Sequence, residues 1–454
     1  MGMNRRTFMA SVGGVAAVGL TSGGEAHPKA RASAALPVQQ AALEGFDAAA
    51  LRDRANDDGE FRLAAREWHA DVRLGIGDHT YDAVIRAGRV TEVRPARSGD
   101  TPAVSVTGPM DAWTLPDGFA ARGLRVEGDE VGHLWPYQPA ISRLSSLVRE
   151  TLGTPVPELL GEEVDRDFDT VVGRYAYVRI RGTQYRVYFE EAGEGIPMVL
   201  QHTAGSDSRQ WRHLLEDREL QQRFRMIAYD LPFHGRSLPP TGVRWWANEY
   251  KADTALLMDS IVAISHALKL DRPVYMGCSV GGYLAPDLAL YHPDEFRAVI
   301  GVNSAIAGGR HDEVGKPYIS PYNHPNNSSA YIGASMYQGT SPEAREAYRR
   351  ETGWVYSQGG PGIFAGDLYY FSVEHNLIGK AHKIDTSKIG VHFLSGEYDA
   401  TARGPAEELA AEIKGSTYDV VKGGSHFTMS DDYPRFRTHL MPVLDGIHAK
   451  HTGV

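Results

Sequence analysis

Chemistry is indicated most clearly at residues 277–282, which read Gly-Cys-Ser-Val-Gly-Gly. The apolar run Val274-Tyr275-Met276 precedes them, and a helix-like stretch over 283–291 follows. The pattern predicts a strand, a tight turn and a helix, with Ser279 at the apex. Glycines suit this turn because side chains beside Ser279 would collide with the strand and the helix. The strained turn would push the hydroxyl into a cleft, where the helix N-terminus favours developing negative charge.

A serine hydroxyl is a poor nucleophile at neutral pH and needs a positioned base, for which His426 is the candidate. His426 follows the strand-like Tyr418-Asp-Val-Val, lies in a Gly-Gly-Ser turn and precedes a helix predicted over 434–449. An imidazole that is neutral near pH 7 can take the proton of Ser279 and return it to the leaving group.

The base in turn needs an acid that orients it, and Asp399 is the candidate because it follows the apolar strand predicted over 390–395. Glu397, in the same Gly-Glu-Tyr-Asp stretch, is the competitor, and we expect its side chain to turn away from the site. Asn303 follows the preceding strand but lacks the charge that would stabilise an imidazolium.

Five motifs occur in the order that the α/β-hydrolase superfamily uses, and residues 175–450 resemble that superfamily. The motifs are Gln201-His-Thr-Ala-Gly205, Asp230-Leu-Pro-Phe-His-Gly-Arg-Ser237, the turn at Ser279, Gly396-Glu-Tyr-Asp399 and Gly423-Gly-Ser-His-Phe427. The chain order Ser279, Asp399, His426 is the order of that fold, in which the serine turn is called the nucleophile elbow. One departure is Thr203, where many relatives have glycine.

The resemblance implies an oxyanion hole made of two backbone N–H groups. One belongs to Val280, directly after the nucleophile, and the other to Ala204 or Thr203, with the Thr203 side chain as a further candidate donor. His202 is expected to stabilise that loop. The stretch from Asp230 is expected to form a supporting turn, because it lies in the wrong place to supply the triad acid.

From about residue 173, predicted strands alternate with predicted helices, which indicates a mostly parallel sheet with helices on both faces. The predicted elements are a hairpin around Arg181-Gly182, buried strands over 197–202, 225–230 and 298–303, and an amphipathic helix over 246–268. By resemblance, the insertion at about 305–388 forms a helical cap. Its many aromatic residues would bury an apolar or aromatic substrate and exclude water.

We expect a small α+β domain over 36–150, a linker over 151–172 and the hydrolase domain over 173–454. Short alternating strands are predicted over 71–76, 81–86, 88–93 and 103–108, and helices over 41–55 and 139–152. The stretches Tyr81-Asp-Ala-Val-Ile-Arg-Ala-Gly-Arg-Val90 and Val104-Ser-Val-Thr-Gly-Pro-Met-Asp-Ala-Trp113 resemble the sterol-carrier-like lipid-binding fold.

Residues 1–35 are interpreted as a processing segment. Arg5-Arg6-Thr7-Phe8-Met9 resembles a twin-arginine export signal. The weakly apolar stretch over 10–20 that follows is too short to span a membrane comfortably. The resemblance implies cleavage near Ala26 or within 32–35, the bacterial twin-arginine export machinery as a partner, and a periplasmic or secreted location.

The composition limits the possible functions of the 454-residue chain, whose length predicts two domains. A net charge of −10, with no basic stripe, argues against a nucleic-acid partner. The one cysteine, Cys278, excludes an internal disulfide and is interpreted as a small packing residue beside the nucleophile. No metal or cofactor is predicted, since the sequence lacks an HExxH motif, a phosphate-binding loop, a cysteine pair and dinucleotide-binding glycine spacing.

The sequence therefore predicts a serine hydrolase that cleaves a carboxylic ester, or a lactone, of a small apolar or aromatic carbonyl compound through an acyl-enzyme. Two alternatives remain open: a hydrolase of carbon–carbon bonds in β-diketones or vinylogous acids, and a ligand- or lipid-binding protein with a vestigial hydrolase domain. Epoxide hydrolases and haloalkane dehalogenases are disfavoured, because they need a carboxylate where Ser279 stands.

Overall fold

The computed structural model describes residues 46–114, 123–157, 168–308, 329–399 and 401–452. These residues divide into two compact units. The first unit holds the described residues up to 157 together with 329–338, and the second holds the others. The predicted export signal lies outside the described residues. No helix among the described ranges combines the length and the apolarity needed to cross a membrane.

The first unit contains a five-stranded sheet. Its strands are β1 (Ala70–Ile76), β2 (His79–Arg86), β3 (Arg89–Pro95), β4 (Val104–Gly108) and β5 (Arg125–Gly128). The first four helices of this unit are α1 (Ala48–Asp57), α2 (Gly59–Ala64), α3 (Met110–Thr114) and α4 (Gln138–Thr151). The strand order is β3-β2-β1-β4-β5, in which only the β1–β4 pair is parallel. The four strands predicted before residue 110 are β1 to β4.

Aromatic side chains connect separate segments of the first unit. The indole N–H of Trp113 donates to the carbonyl of Gly75, 2.8 Å away, in the middle of the unit. Trp68 stacks on Tyr137 with ring centroids 4.9 Å apart. Both tryptophans are fully buried, so this unit has a hydrophobic core of its own.

The second unit is organised on an eight-stranded sheet. Its strands are β6 (Val172–Ile180), β7 (Thr183–Ala192), β8 (Ile196–Gln201), β9 (Phe224–Tyr229), β10 (Val274–Cys278), β11 (Ala298–Val302), β12 (Gly390–Gly396) and β13 (Thr417–Val421). The order is β13-β12-β11-β10-β8-β9-β7-β6. All neighbouring pairs from β13 to β9 are parallel, while β7 pairs antiparallel with both β6 and β9. The mostly parallel sheet and the hairpin at Arg181-Gly182 are confirmed.

The remaining helices pack around this sheet or lie in the insertion between β11 and β12. They are α5 (Arg212–Leu215), α6 (Arg218–Gln221), α7 (Thr254–Ala267), α8 (Val280–Tyr291), α9 (Ser329–Gln338), α10 (Glu346–Tyr356), α11 (Ile363–Tyr369), α12 (Arg403–Glu412), α13 (Thr428–Asp431) and α14 (Tyr433–Thr452), and short 3₁₀ or π turns occur at Glu130–Leu134, Ser208–Trp211, Trp245–Ala247, Tyr370–Glu374 and Ala381–Lys383. Helix α9 belongs to the first unit. We call residues 339–388 of the second unit the cap segment.

The helix predicted over 246–268 is shorter than the sequence pattern suggested. It begins at Thr254, because Asp253 is extended and its carboxylate accepts from the N–H of Leu256 at 2.7 Å, which caps the helix. Asp253 also pairs with Arg181 at 3.0 Å. The apolar residues before it, Trp245 and Trp246, are exposed in a 3₁₀ turn.

The sheet brings the predicted site residues to one edge. Every residue of β10 and β11 is buried, as expected for strands covered on both faces. Loop residues 202–205 follow β8, Ser279 follows β10, Asp399 follows β12 and His426 follows β13. Since these strands are parallel, their carboxyl ends meet at the edge where ligands bind in open α/β sheets.

Candidate active site

Ser279 occupies a strained turn between β10 and α8. Its backbone has φ 57° and ψ −118°, a combination that few side chains tolerate. A Cβ on Gly277 would lie 2.5 Å from the backbone of Gly281, and one on Gly282 would lie 2.2 Å from the carbonyl oxygen of Val302. Glycine is therefore required around this serine, as the sequence pattern predicts.

Asp399 holds the imidazole of His426 through Nδ1. Its Nδ1 bonds to Oδ2 of Asp399, whose other oxygen accepts from the Thr401 hydroxyl at 2.6 Å and from the N–H of Ala402 at 3.2 Å. Burial alone would raise the pKa of Asp399, but the contacts with His426 and Thr401 outweigh it and lower that pKa. The carboxylate therefore stays ionised and fixes the proton of the imidazole on Nδ1.

The second ring nitrogen of His426 is available for chemistry. Nε2 is buried and meets no hydrogen-bond partner among the described residues. The main chain of His426 lies beside the serine turn, since the Cys278 thiol donates to its carbonyl oxygen at 3.3 Å. An imidazole with Nδ1–H and a free lone pair on Nε2 can accept a proton.

Cys278 is buried completely, and burial raises the pKa of its thiol well above the usual value. The thiol therefore stays neutral and points toward the His426 loop. A neutral buried thiol is inert, because the thiolate is the reactive form of cysteine. This geometry agrees with the interpretation of Cys278 as a packing residue.

Neither alternative acid contacts His426. Glu397 accepts from the N–H of Gly423 at 2.9 Å and from Lys422 at 3.4 Å. The two oxygens of Asp230 accept from the N–H groups of Ser208 and Arg236, at 2.8 and 2.7 Å. Asp230 thus supports two neighbouring turns.

Asn303 has a structural role that the sequence reasoning missed. Its side-chain oxygen accepts from the N–H of Gly396 at 2.9 Å, and its amide nitrogen donates to the carbonyl of His426 at 2.8 Å. It therefore joins the strand before Asp399 to the loop of the base. A signal existed in the sequence, since asparagine directly after a buried strand tolerates the left-handed conformation found here, φ 51°.

Two predicted oxyanion donors have free N–H groups. The backbone N–H groups of Val280, at the start of α8, and of Ala204 are buried and have no partner among the described residues. The N–H of Thr203 donates to Oε1 of Gln210 at 2.9 Å, and its hydroxyl bonds to the hydroxyl of Tyr356 in the cap segment. Thr203 is thus already engaged through both groups.

His202 fastens the loop that contains Ala204. Its Nδ1 donates to the carbonyl of Thr203 at 2.7 Å, and its Nε2 accepts from the N–H of Leu231 at 3.1 Å. Burial lowers the pKa of His202 to about 4, so the ring is neutral at pH 7. These contacts give His202 a structural role, as expected from the resemblance.

The arrangement is similar to that of known proteins over part of the chain. Residues 196–327 match the model of the family described as alpha/beta hydrolase fold. Rat bifunctional epoxide hydrolase 2 is 28% identical over 132 residues, which are 29% of this chain and 22% of the relative. Pimeloyl-[acyl-carrier protein] methyl ester esterase of Yersinia enterocolitica is 33% identical over 129 residues, which are 28% of this chain and 44% of the relative.

Solved structures match a larger share of the chain. A thermophilic esterase from Thermogutta terrifontis gives a TM-score of 0.51 at 17% identity, covering 61% of this chain and 99% of that one. A structure from a study of carboxylesterases of the thaumarchaeon Nitrososphaera gargenis gives 0.51 at 18% identity, with 60% and 99% covered. The second unit therefore has the α/β-hydrolase fold, while the chain spans less than half the length of the curated relatives it matches.

Proposed function

We propose that the protein is a serine hydrolase that cleaves a carboxylic ester through an acyl-enzyme on Ser279. One observation carries the proposal: an imidazole oriented by an ionised carboxylate has an unpartnered Nε2, and its main chain lies beside a strained serine turn. A carboxylate would be needed at position 279 for epoxide hydrolysis by the usual route of this fold, and the residue there is a serine.

The proposed reaction has two halves. Nε2 of His426 takes the proton of Ser279 as Oγ attacks the carbonyl carbon, and the N–H groups of Val280 and Ala204 receive the developing oxyanion. The imidazolium then gives that proton to the leaving alcohol as the C–O bond breaks. In the second half, His426 removes a proton from water, which attacks the acyl carbon. The imidazolium returns that proton to Oγ of Ser279 as the acyl–Oγ bond breaks, which releases the acid and restores the free serine.

The side chains of the cap segment favour an apolar or aromatic acyl group. Tyr356, Phe364 and Phe371 are buried there, and Tyr356 touches the loop of Ala204 through Thr203. Water exclusion by such groups strengthens the electrostatic stabilisation of the charged intermediate. Lactones present the same carbonyl chemistry and belong to the proposed substrate range.

A fluorophosphonate probe tests the proposed nucleophile. We expect wild-type protein to be labelled on Ser279, Ser279→Ala to take no label, and the neighbouring variant Cys278→Ala to be labelled like the wild type. Ser279→Ala should also lose about 10³-fold or more in turnover of an ester. Folding of each variant is checked by circular dichroism.

The outcomes separate the alternatives. A folded wild type that takes no label contradicts the serine-hydrolase proposal and favours the ligand-binding alternative. A panel of ester, lactone and β-diketone substrates reports the bond that breaks, and release of a ketone in place of an alcohol would favour the carbon–carbon hydrolase. The sterol-carrier-like resemblance of the first unit stays a prediction.

A further inference from the structure

We infer that Asp367, on α11 of the cap segment, is a positioning residue that fixes the Ala204 N–H for the oxyanion, and that a charged His234 balances its negative charge. The inference rests on the proposed function and deepens it. Under this inference, the cap segment helps to stabilise the transition state, in addition to any contact that the segment makes with the substrate.

Asp367 is completely buried and contacts three polar groups. Its Oδ2 lies 2.7 Å from the N–H of Gly205 and 2.7 Å from Nε2 of His234, and its Oδ1 accepts from the hydroxyl of Tyr250 at 3.0 Å. The Gly205 N–H and the Tyr250 hydroxyl each donate to one oxygen of this carboxyl group, and the His234 ring meets it at Oδ2.

His234 carries the compensating positive charge. Its Nδ1 faces the carbonyl of Pro232 at 3.0 Å, while its Nε2 faces Asp367. A carbonyl only accepts, so Nδ1 holds a proton, and Nε2 holds a second one when it donates to an Asp367 carboxylate. Burial alone would lower the pKa of His234, but Asp367 and the carbonyl outweigh it and raise that pKa. The buried pair is therefore an imidazolium and a carboxylate.

The hydrogen bonds around residues 203–205 leave one donor free. The carbonyl of Thr203, in the peptide that contains the Ala204 N–H, is held by His202 at 2.7 Å. The next peptide, which contains the Gly205 N–H, is held by Asp367. These two peptide planes determine the backbone of Ala204, so His202 and Asp367 together aim its N–H.

Gly205 allows the close approach that this contact needs. Its φ is +65°, and a Cβ there would lie 2.5 Å from the ring of Phe364, three residues before Asp367 on α11. The backbone of the loop thus packs directly on the cap helix. A side chain at position 205 would separate the loop from the carboxylate that orients it.

The charge of His234 is required because of where Asp367 lies. An uncompensated carboxylate one residue from the oxyanion donor would oppose the negative charge that develops on the substrate oxygen, and low-dielectric surroundings would strengthen that repulsion. His234→Asn should leave this uncompensated charge, whereas the double change His234→Asn with Asp367→Asn removes both charges.

The test compares kcat and KM of the full-length protein on an ester, together with the rate of fluorophosphonate labelling. We expect Asp367→Asn to lower kcat and the labelling rate by about 10-fold to 100-fold, less than removal of an oxyanion donor, with KM changed less than about 3-fold. His234→Asn should be at least as slow. The double variant should be faster than His234→Asn alone, which a purely structural role would not produce.

Glu351→Gln is the matched control. Glu351, on α10, also joins the cap segment to the rest of the second unit, through bonds of 2.7 and 2.8 Å to Arg212, but no described contact links it to residues 203–205. We expect its kcat to stay within about 2-fold of the wild type. An equal loss in Glu351→Gln and Asp367→Asn would overturn the inference, because it would indicate a general effect of cap attachment.

The remaining outcomes are distinguishable. An active wild type with a folded, equally active Asp367→Asn overturns this inference and leaves the proposed function standing. A wild type that neither hydrolyses esters nor takes the probe overturns both. If Asp367→Asn does not fold, His234→Asn alone decides, and a folded His234→Asn with the kcat and labelling rate of the wild type overturns the inference.

Discussion

Asp399 meets Nδ1 of His426 through one carboxylate oxygen, and Thr401 and Ala402 hold the other. In Asp399→Asn, the amide can present N–H groups to Nδ1, which would move the ring proton to Nε2 and remove the base. We expect kcat to fall by about 10³-fold to 10⁴-fold, as in other serine triads. Steady-state kinetics on an ester measures the loss.

Glu397→Gln is the control for that variant, since Glu397 lies two residues away and binds Gly423 and Lys422. Its kcat should remain within a few-fold of the wild type. A large loss in Glu397→Gln with little change in Asp399→Asn would contradict the proposed acid and exchange the roles of the two carboxylates.

At the scale of elements, His202 connects the loop after β8 to the turn after β9 through Thr203 and Leu231. With its pKa lowered to about 4, the folded protein keeps His202 neutral at pH 5, whereas the unfolded chain protonates it below about pH 6.5. The unfolded state then binds the extra proton, so this residue lowers the free energy of unfolding as pH falls. The loss between pH 7 and pH 5 is about 2 kcal/mol.

Denaturant unfolding of wild type and His202→Asn at both pH values measures this contribution. Asp230, whose pKa is raised to about 6, acts in the opposite direction, because its folded form binds a proton first. That term is present in both proteins and cancels in the comparison. If the two proteins lose equal stability on acidification, His202 is not held neutral in the fold.

Many of the strands and turns could be predicted from the sequence, and the reasons are physical. The strands at 197–202 and 298–303 are continuous apolar runs because both of their faces are covered, and the glycines around Ser279 reflect close backbone contacts. The start of α7 differs from the sequence prediction, since the apolar Trp245 and Trp246 precede the N-cap at Asp253. Local patterning of apolar residues does not distinguish exposed tryptophans from the buried side of a helix.

The contacts between distant segments could not be predicted. Gly205 and Asp367 are 162 residues apart, and Asp367 lies among aromatic residues with no motif around it. From the sequence, Asn303 is only a residue that lacks the charge of a triad acid, whereas its role depends on two backbone groups brought together by strand pairing. Such roles arise from the sheet register, which the sequence alone does not specify.

At the scale of the whole molecule, we propose that the protein is exported in the folded state through the twin-arginine machinery. Arg5 and Arg6 precede Thr7-Phe8-Met9 in the pattern of that signal. Arg5→Lys combined with Arg6→Lys should retain the protein in the cytoplasm, because the signal is read through this pair. Cell fractionation with the fluorophosphonate label as the reporter measures the distribution.

Arg31→Lys makes the same chemical change in the same segment outside the pair, and its export should be normal. Unchanged export of the double-lysine variant would remove the twin-arginine proposal and leave the proposed hydrolase activity unaffected.

Helix α9 packs on α4 of the first unit, where Gln338 donates to the hydroxyl of Ser142. In the chain, however, α9 comes after a long segment that belongs to the second unit. The polypeptide consequently passes from one unit to the other three times. Recombination at a single point near residue 160 would therefore transfer the first unit without α9 and leave that helix behind with the second unit. An intact first unit, with its ten-residue helix, therefore requires a segment that lies within the sequence of the second unit.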